Sequence, residues 1–176
     1  MALKLPRTIR LDPSDTFVYA RAAEPGEWAV TGTFLFHGID VAALEGKTRQ
    51  AFRAGFLGVG SFGWSTLAVV TEVSAEEYAG AVESLARRLV DHCGAPDAAA
   101  ARPAAEEEIA FACTLCDHPP NMLIGIHRSL EEDGIRESFR TLQRRAGWET
   151  ADAFGFEAEE EEEDVDLVTL SGEERG

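Results

Sequence analysis

Apolar and polar positions change period several times along the chain, and each change marks an element. Lys4 to Leu11 (KLPRTIRL) alternates weakly and stops at the breaker pair Asp12-Pro13. Phe17 to Ala23 (FVYARAA) reads as a short strand and Glu24-Pro25-Gly26 as a turn. Trp28 to Phe36 (WAVTGTFLF), rich in aromatic and β-branched residues, reads as a further strand, so the first 37 residues are expected to form an antiparallel meander. From Asp40 to Phe56 the spacing turns helical at Val41, Leu44, Phe52 and Phe56, with Gly46 splitting the stretch. Trp64 to Val73 (WSTLAVVTEV) is again strand-like. Ser74-Ala-Glu-Glu77 is a capping box, in which Ser74 accepts from the amide three residues on and Glu77 reaches back. Tyr78, Val82, Leu85 and Leu89 continue that helix until Gly94 and Pro96 end it.

The second half is read in the same way. Pro103 followed by Glu106-Glu107-Glu108 suits a helix start, and that helix is expected to run to about Asp117, before Pro119-Pro120. Met122 to Ser129 reads as a strand, Glu131 to Gly134 as a turn, and Ile135 to Leu142 as the hairpin partner, although Ile135, Phe139 and Leu142 also fit a helix. Residues 151–156 (ADAFGF) suit a last strand. No internal repeat is visible. The order predicts an α+β fold, a mainly antiparallel sheet with two or three helices packed on one face.

Composition sharpens this picture at one end. The 176 residues suit one domain, expected over 1–156, and at that length roughly 70% of the chain's surface can be buried. The net charge is −16, but 12 acids and the single base Arg175 lie from Glu149 onward, giving −11, against 20 acids and 15 bases, giving −5, before it. Glu157 to Asp164 holds seven acids in eight positions. Such a block repels itself, so residues 157–176 are expected to be an acidic, disordered tail carrying one short apolar segment, 165–170 (VDLVTL). The overall charge opposes nucleic-acid binding. No apolar run nears the ~20 residues that span a membrane, and MALKLPRTIR is no signal peptide, so a cytoplasmic protein is expected. Three cysteines exclude a complete disulfide framework. Among the bases only Lys4 and Lys47 are lysine, a bias of GC-rich bacterial genomes.

Three stretches could carry chemistry. Cys113-Thr-Leu-Cys-Asp-His-Pro-Pro120 offers Cys113, Cys116 and His118 as zinc ligands, with Cys93 or His92 as a fourth. A redox dithiol would sit at the start of a helix, where the positive end stabilises a thiolate; this pair sits at a helix end. Cys113 and Cys116 also share a helix face with Ile109, as small buried hydrophobes do. Architecture is thus the first reading and zinc the alternative. Gly58-Val-Gly-Ser-Phe-Gly63 matches the dinucleotide fingerprint in letters, but a helix precedes it and a strand follows, the inverse of what pyrophosphate binding needs. Large aromatics in the loop from Gly58 to Thr66 read first as core, and Phe62, Trp64 and Ser65 as a candidate ligand or partner surface are the alternative. Arg128, Arg136, Arg140, Arg144 and Arg145 form the only basic concentration, and Arg136, Arg140 and Arg144 share a face in either a strand or a helix. A solvated face is the first reading, since exposed charges are individually weak. The alternative is an anion or acidic-partner surface, on which the block 157–164 would fold back as an internal mimic of the partner. No serine–histidine–acid set or carboxylate pair for hydrolysis stands out.

Taken together, LPRTIRLDPSDTFV, AFRAGFLGVGSFGWST and LCDHPP resemble a small uncharacterised bacterial family of about this length, and the likeness covers most of the chain. The resemblance implies no activity and carries over no catalytic residue. The residues alone favour a non-catalytic protein-binding, accessory or assembly factor without a cofactor. The alternative is a metal- or small-ligand-binding protein using Cys113, Cys116 and His118 or the Gly58–Thr66 loop.

Overall fold

The computed structural model describes residues 2–144 and, beyond them, the short strands 156–157 and 162–166. Its centre is an antiparallel sheet of β1 (Lys4–Ile9), β5 (Leu67–Glu72), β6 (Leu123–Glu131) and β7 (Gly134–Arg144), in that order across the sheet. β8 (Phe156–Glu157) and β9 (Glu162–Asp166) both pair with β7 on its outer side. A smaller antiparallel sheet joins β2 (Ala29–Val30), β3 (Phe56–Gly58) and β4 (Trp64–Ser65). The helices are α1 (Ser14–Val18), α2 (Gly46–Ala54), α3 (Ala75–Cys93) and α4 (Ala98–Thr114). The fold is α+β, as the patterning predicts.

Alternation decides which face of the large sheet is inside. Ala68, Val70, Ile124, Ile126 and Phe139 point inward and pack on Phe111, Leu115 and Cys116 at the end of α4. The backbone of α2 meets the same face farther along β6. The small sheet lies between layers: Ala29 and Phe56 join this inner core, while Val30 and Leu57 face Leu85, Leu89, Ala105 and Ile109 of the α3–α4 pair. α3 and α4 run antiparallel, with Tyr78 near the start of α3 and Cys113 near the end of α4 packed against one cluster and Arg102 donating to Glu83 (2.6 Å) between them. At the β6–β7 hairpin, His127, Arg136 and Arg140 lie on the face away from α2 and are exposed.

Strong local signals survive in the structure. Ser74 and Glu77 form the expected capping box, and Gly94 closes α3 in the left-handed region at φ 76°. β6 and β7 form the expected hairpin, with Gly134 at φ 124° closing its turn.

The N-terminal third differs. The predicted strand from Phe17 to Ala23 instead begins inside α1, because Asp15 turns inward to accept from the Thr66 amide (3.2 Å) and hydroxyl (2.7 Å), and Tyr19 is pulled in to bond Thr66 (2.8 Å). Phe17 is left 70% exposed. The strand predicted over Trp28–Phe36 shrinks to β2, because Gly32 at φ 80° turns the chain into a 3-10 turn at Thr33–Phe36. No meander forms: β1 pairs with β5 and β2 with β3. The helical stretch after Asp40 divides into a 3-10 turn at Val41–Ala43 and α2, and Phe56 lies in β3. α4 starts at Ala98 rather than Pro103, because Asp97 caps the Ala100 amide (2.8 Å). It also ends at Thr114, short of Asp117. Residues 151–155 of the predicted last strand, Arg145, and residues 158–161 and 167–176 of the acidic segment lie outside the described residues.

Candidate functional site

The β6–β7 hairpin gathers most of the unusual chemistry. Arg128 continues the inward series Ile124, Ile126, and Glu137 stands directly opposite it. Both are sealed off: Arg128 is 1% exposed and Glu137 0%. Arg128 Nε donates to Thr33 Oγ1 (2.6 Å) and faces Glu137 Oε1 (3.4 Å). Its Nη1 donates to the carbonyls of Phe52 (2.8 Å) and Ala51 (3.2 Å), and Nη2 donates to the carbonyl of Thr31. Thr33 Oγ1 in turn donates to Glu137 Oε1. The guanidinium lies 5.7 Å from the Phe36 ring centre and 6.0 Å from that of Trp64.

One cation thus ties four pieces of backbone together, including the negative C-terminal end of α2. Burial pushes the Glu137 carboxyl up to about 7, against the pull of Arg128, and burial lowers Arg128 to about 10, against Glu137. Glu137 Oε2 has no hydrogen-bond partner. Perturbed buried acids often mark catalytic sites. Here neither group meets solvent, and the pair joins β6 and β7 to the Thr31–Thr33 segment and the end of α2.

The glycine loop has an occupant from the chain itself. Glu27 reaches over Gly58–Gly63, where its Oε1 accepts from the amides of Gly60 (2.9 Å) and Ser61 (2.6 Å) and its Oε2 from the Ser61 hydroxyl (2.7 Å) and the Glu24 amide (2.6 Å). A side chain at Gly58 would come 2.7 Å from that carboxylate, and one at Gly63 2.6 Å from the Ala22 carbonyl. The loop is an anion nest filled by the chain's own carboxylate, not by a nucleotide. Ser65 is buried, donating to the Leu67 carbonyl (2.7 Å). Trp64 fills space between Gly32 and Gly55 and meets Phe36 at 5.6 Å. Phe62, at φ 61°, stacks on His92 at 4.8 Å. Of the three predicted surface residues Ser65 is buried, while Phe62 and Trp64 are half-buried against the core.

Cys113, Cys116 and Asp117 line a groove of about 320 Å³ with Lys4 and Glu72. The His118 carbonyl accepts from Lys4 Nζ (2.5 Å). Cys93 ends α3 at the opposite end of the helix pair, roughly 25 Å away along α4 at 1.5 Å per residue. The four candidate zinc ligands are therefore not brought together, and among the described residues no group of three or more His, Cys, Asp or Glu is placed to hold a metal ion. All three cysteines are free, and burial pushes the Cys116 thiol up to about 12, the opposite of an activated nucleophile.

The arginines divide between environments. Arg128 is the buried keystone, whereas Arg136 and Arg140 are exposed on β7. β9 runs antiparallel along β7, with Asp166 opposite Arg136 and Glu162 opposite Arg140. Phe156 of β8 stands opposite Arg144. Part of the acidic segment, Glu162–Asp166, thus lies along the arginine strand as a strand.

Among the described residues no helix is long and apolar enough to cross a membrane. No curated protein and no solved structure matches the chain significantly. Residues 1–160 match a family described as a family of unknown function, DUF6505, and the chain belongs to that family.

Proposed function

We propose that the chain is a non-catalytic protein-binding module, an accessory or assembly factor of a bacterial cytoplasmic system, and that it engages its partner along the outer edge of β7. The observation that carries this reading is the ladder between β7 and the chain's own Glu162–Asp166, with acids opposite Arg136 and Arg140. An edge that accepts an extended segment in this way has the geometry of strand addition, in which backbone bonds supply affinity and flanking side chains supply choice. Free thiols agree with a reducing compartment. The net charge of −16 argues against nucleic acid as the partner.

Affinity purification of the full chain from its native host tests this. A stoichiometric companion is expected, and it is expected to be lost from an Arg136→Glu/Arg140→Glu variant that remains folded. Absence of any companion, or one indifferent to both arginines, overturns the reading.

A further inference from the structure

The register of β9 on β7 carries more information than its existence. Glu162–Asp166 reads Glu-Glu-Asp-Val-Asp, a composition poor in strand formers. The pairing therefore depends on what stands opposite each residue. Asp166 lies opposite Arg136 and Glu162 opposite Arg140, which places acids four apart against the two exposed cations. Val165, the one residue of the strand that is not acidic, lies opposite Glu137, the buried carboxylate with an unpartnered oxygen. A slip of one residue in either direction would place Asp164 or Asp166 opposite Glu137, like charge against like charge. The observed register thus sets an acid opposite each of Arg136 and Arg140 and none opposite Glu137, and a slip in either direction removes the acid opposite Arg136.

We infer that Glu162–Asp166 is an internal, displaceable occupant of the β7 edge. It holds that edge closed until a partner presents an extended acidic segment with the same spacing: an acid, two residues, an apolar residue, and an acid. This rests on the reading that β7 is where the chain binds protein, and it names the chemistry of the partner and the regulation of the edge. A tethered occupant competes at the effective concentration set by its linker, in the millimolar range for short flexible chains, so an external segment must bind better or the internal one must be weakened. The same acids keep the edge from pairing with further copies, since a charged edge strand resists open-ended addition.

The test uses the full chain and a fluorescent peptide of residues 160–168 (EEEEDVDLV). Two variants release the occupant without adding positive charge: Val165→Asp, and Glu162→Gln/Asp166→Asn. Fluorescence polarisation is expected to show the peptide binding each variant at least about tenfold more tightly than the unchanged chain. A peptide with the same two acids made Gln and Asn is expected to lose that gain. Equal affinity for unchanged chain and variants, or equal binding of both peptides, overturns the inference.

A measurement on the unchanged chain guards against misfolded variants. Amide exchange over Arg136–Arg140 is expected to quicken when salt rises from about 0.05 M to about 1 M, and that over Leu123–Ser129 is not. Identical salt responses in the two segments overturn the inference as well. Should a native companion depend on Arg136 and Arg140 yet bind the unchanged chain and Val165→Asp alike, the occupant fails and the binding edge stands.

Discussion

Two arginine–carboxylate arrangements lie on one hairpin, on opposite sides of one strand. On the inner side Arg128 and Glu137 are sealed among Phe36, Trp64, Phe52 and Tyr19. On the outer side Arg136 and Arg140 are exposed, with the acids of β9 opposite them. The chemistry is the same and the energetics are not. A buried pair has lost its water, and removing one partner strands an uncompensated charge. An exposed pair keeps its water and is screened by salt, so it can be exchanged cheaply. The hairpin therefore couples a fixed register inside to a replaceable neighbour outside.

The largest effect that would break this comparison is on the inside. Arg128→Met is expected to cost about 3–5 kcal/mol in urea unfolding. Glu137→Leu belongs to the same range, and the double variant is expected to fall well short of additivity, by about 1–3 kcal/mol. It should still be less stable than the unchanged chain, because Arg128 also satisfies the carbonyls of Thr31, Ala51 and Phe52. A double variant at full stability would show that those carbonyls need no donor.

A pH series sharpens the same point. The folded carboxyl of Glu137 titrates near 7 because burial raises it from the ordinary value of 4.5. The folded state then holds a proton that the unfolded state releases between those values. Stability is expected to fall as pH rises from about 4.5 to about 7, at a slope of at most about 1.4 kcal/mol per pH unit from this group. Glu77 and Glu83 are shifted the other way, by hydrogen bonds from Ser74 and Arg102, and their contributions fade only at lower pH. The difference between the unchanged chain and Glu137→Gln isolates the term, and parallel curves for the two would exclude it.

Glu27 stands between the two extremes. It is half-buried and accepts from three amides and one hydroxyl. Glu27→Ala is expected to cost about 1–3 kcal/mol, less than Arg128→Met, with faster exchange over Gly58–Gly63. A loss as large as that of Arg128→Met would mean that burial does not set the scale.

How much of this was legible depended on whether the signal was local. Ser74, Glu77 and Gly94 mark α3 because caps act within a few residues. The hairpin was legible for the same reason, and with it the buried pair was within reach. Once Met122–Ser129 alternates, Arg128 falls in step with Ile124 and Ile126, and the turn places Glu137 across from it. Grouping Arg128 with the exposed arginines passed over that parity. The N-terminal third misled because its contacts are distant in sequence: Asp15 and Tyr19 answer to Thr66, and Gly32 and Gly55 to Trp64. The glycine loop could not be read without knowing that Glu27 fills it. The place of CTLCDHPP at a helix end was legible because two prolines forbid continuation of the helix.

The smallest effect tests the outer side alone. Arg136→Asp and Asp166→Arg should each cost only about 0.2–1 kcal/mol, read as faster amide exchange over Arg136–Arg140 with little change in global unfolding. The exchanged pair, Arg136→Asp with Asp166→Arg, is expected to restore protection, because an exposed cross-strand pair depends on opposite sign and not on which strand carries which. The corresponding swap inside, Arg128→Glu with Glu137→Arg, is expected to fail. The swap would take the guanidinium from β6, where it reaches the carbonyls of Thr31, Ala51 and Phe52 together, and would set a carboxylate against them. Recovery inside, or its absence outside, would reverse the assignment of the fixed and exchangeable faces of β7.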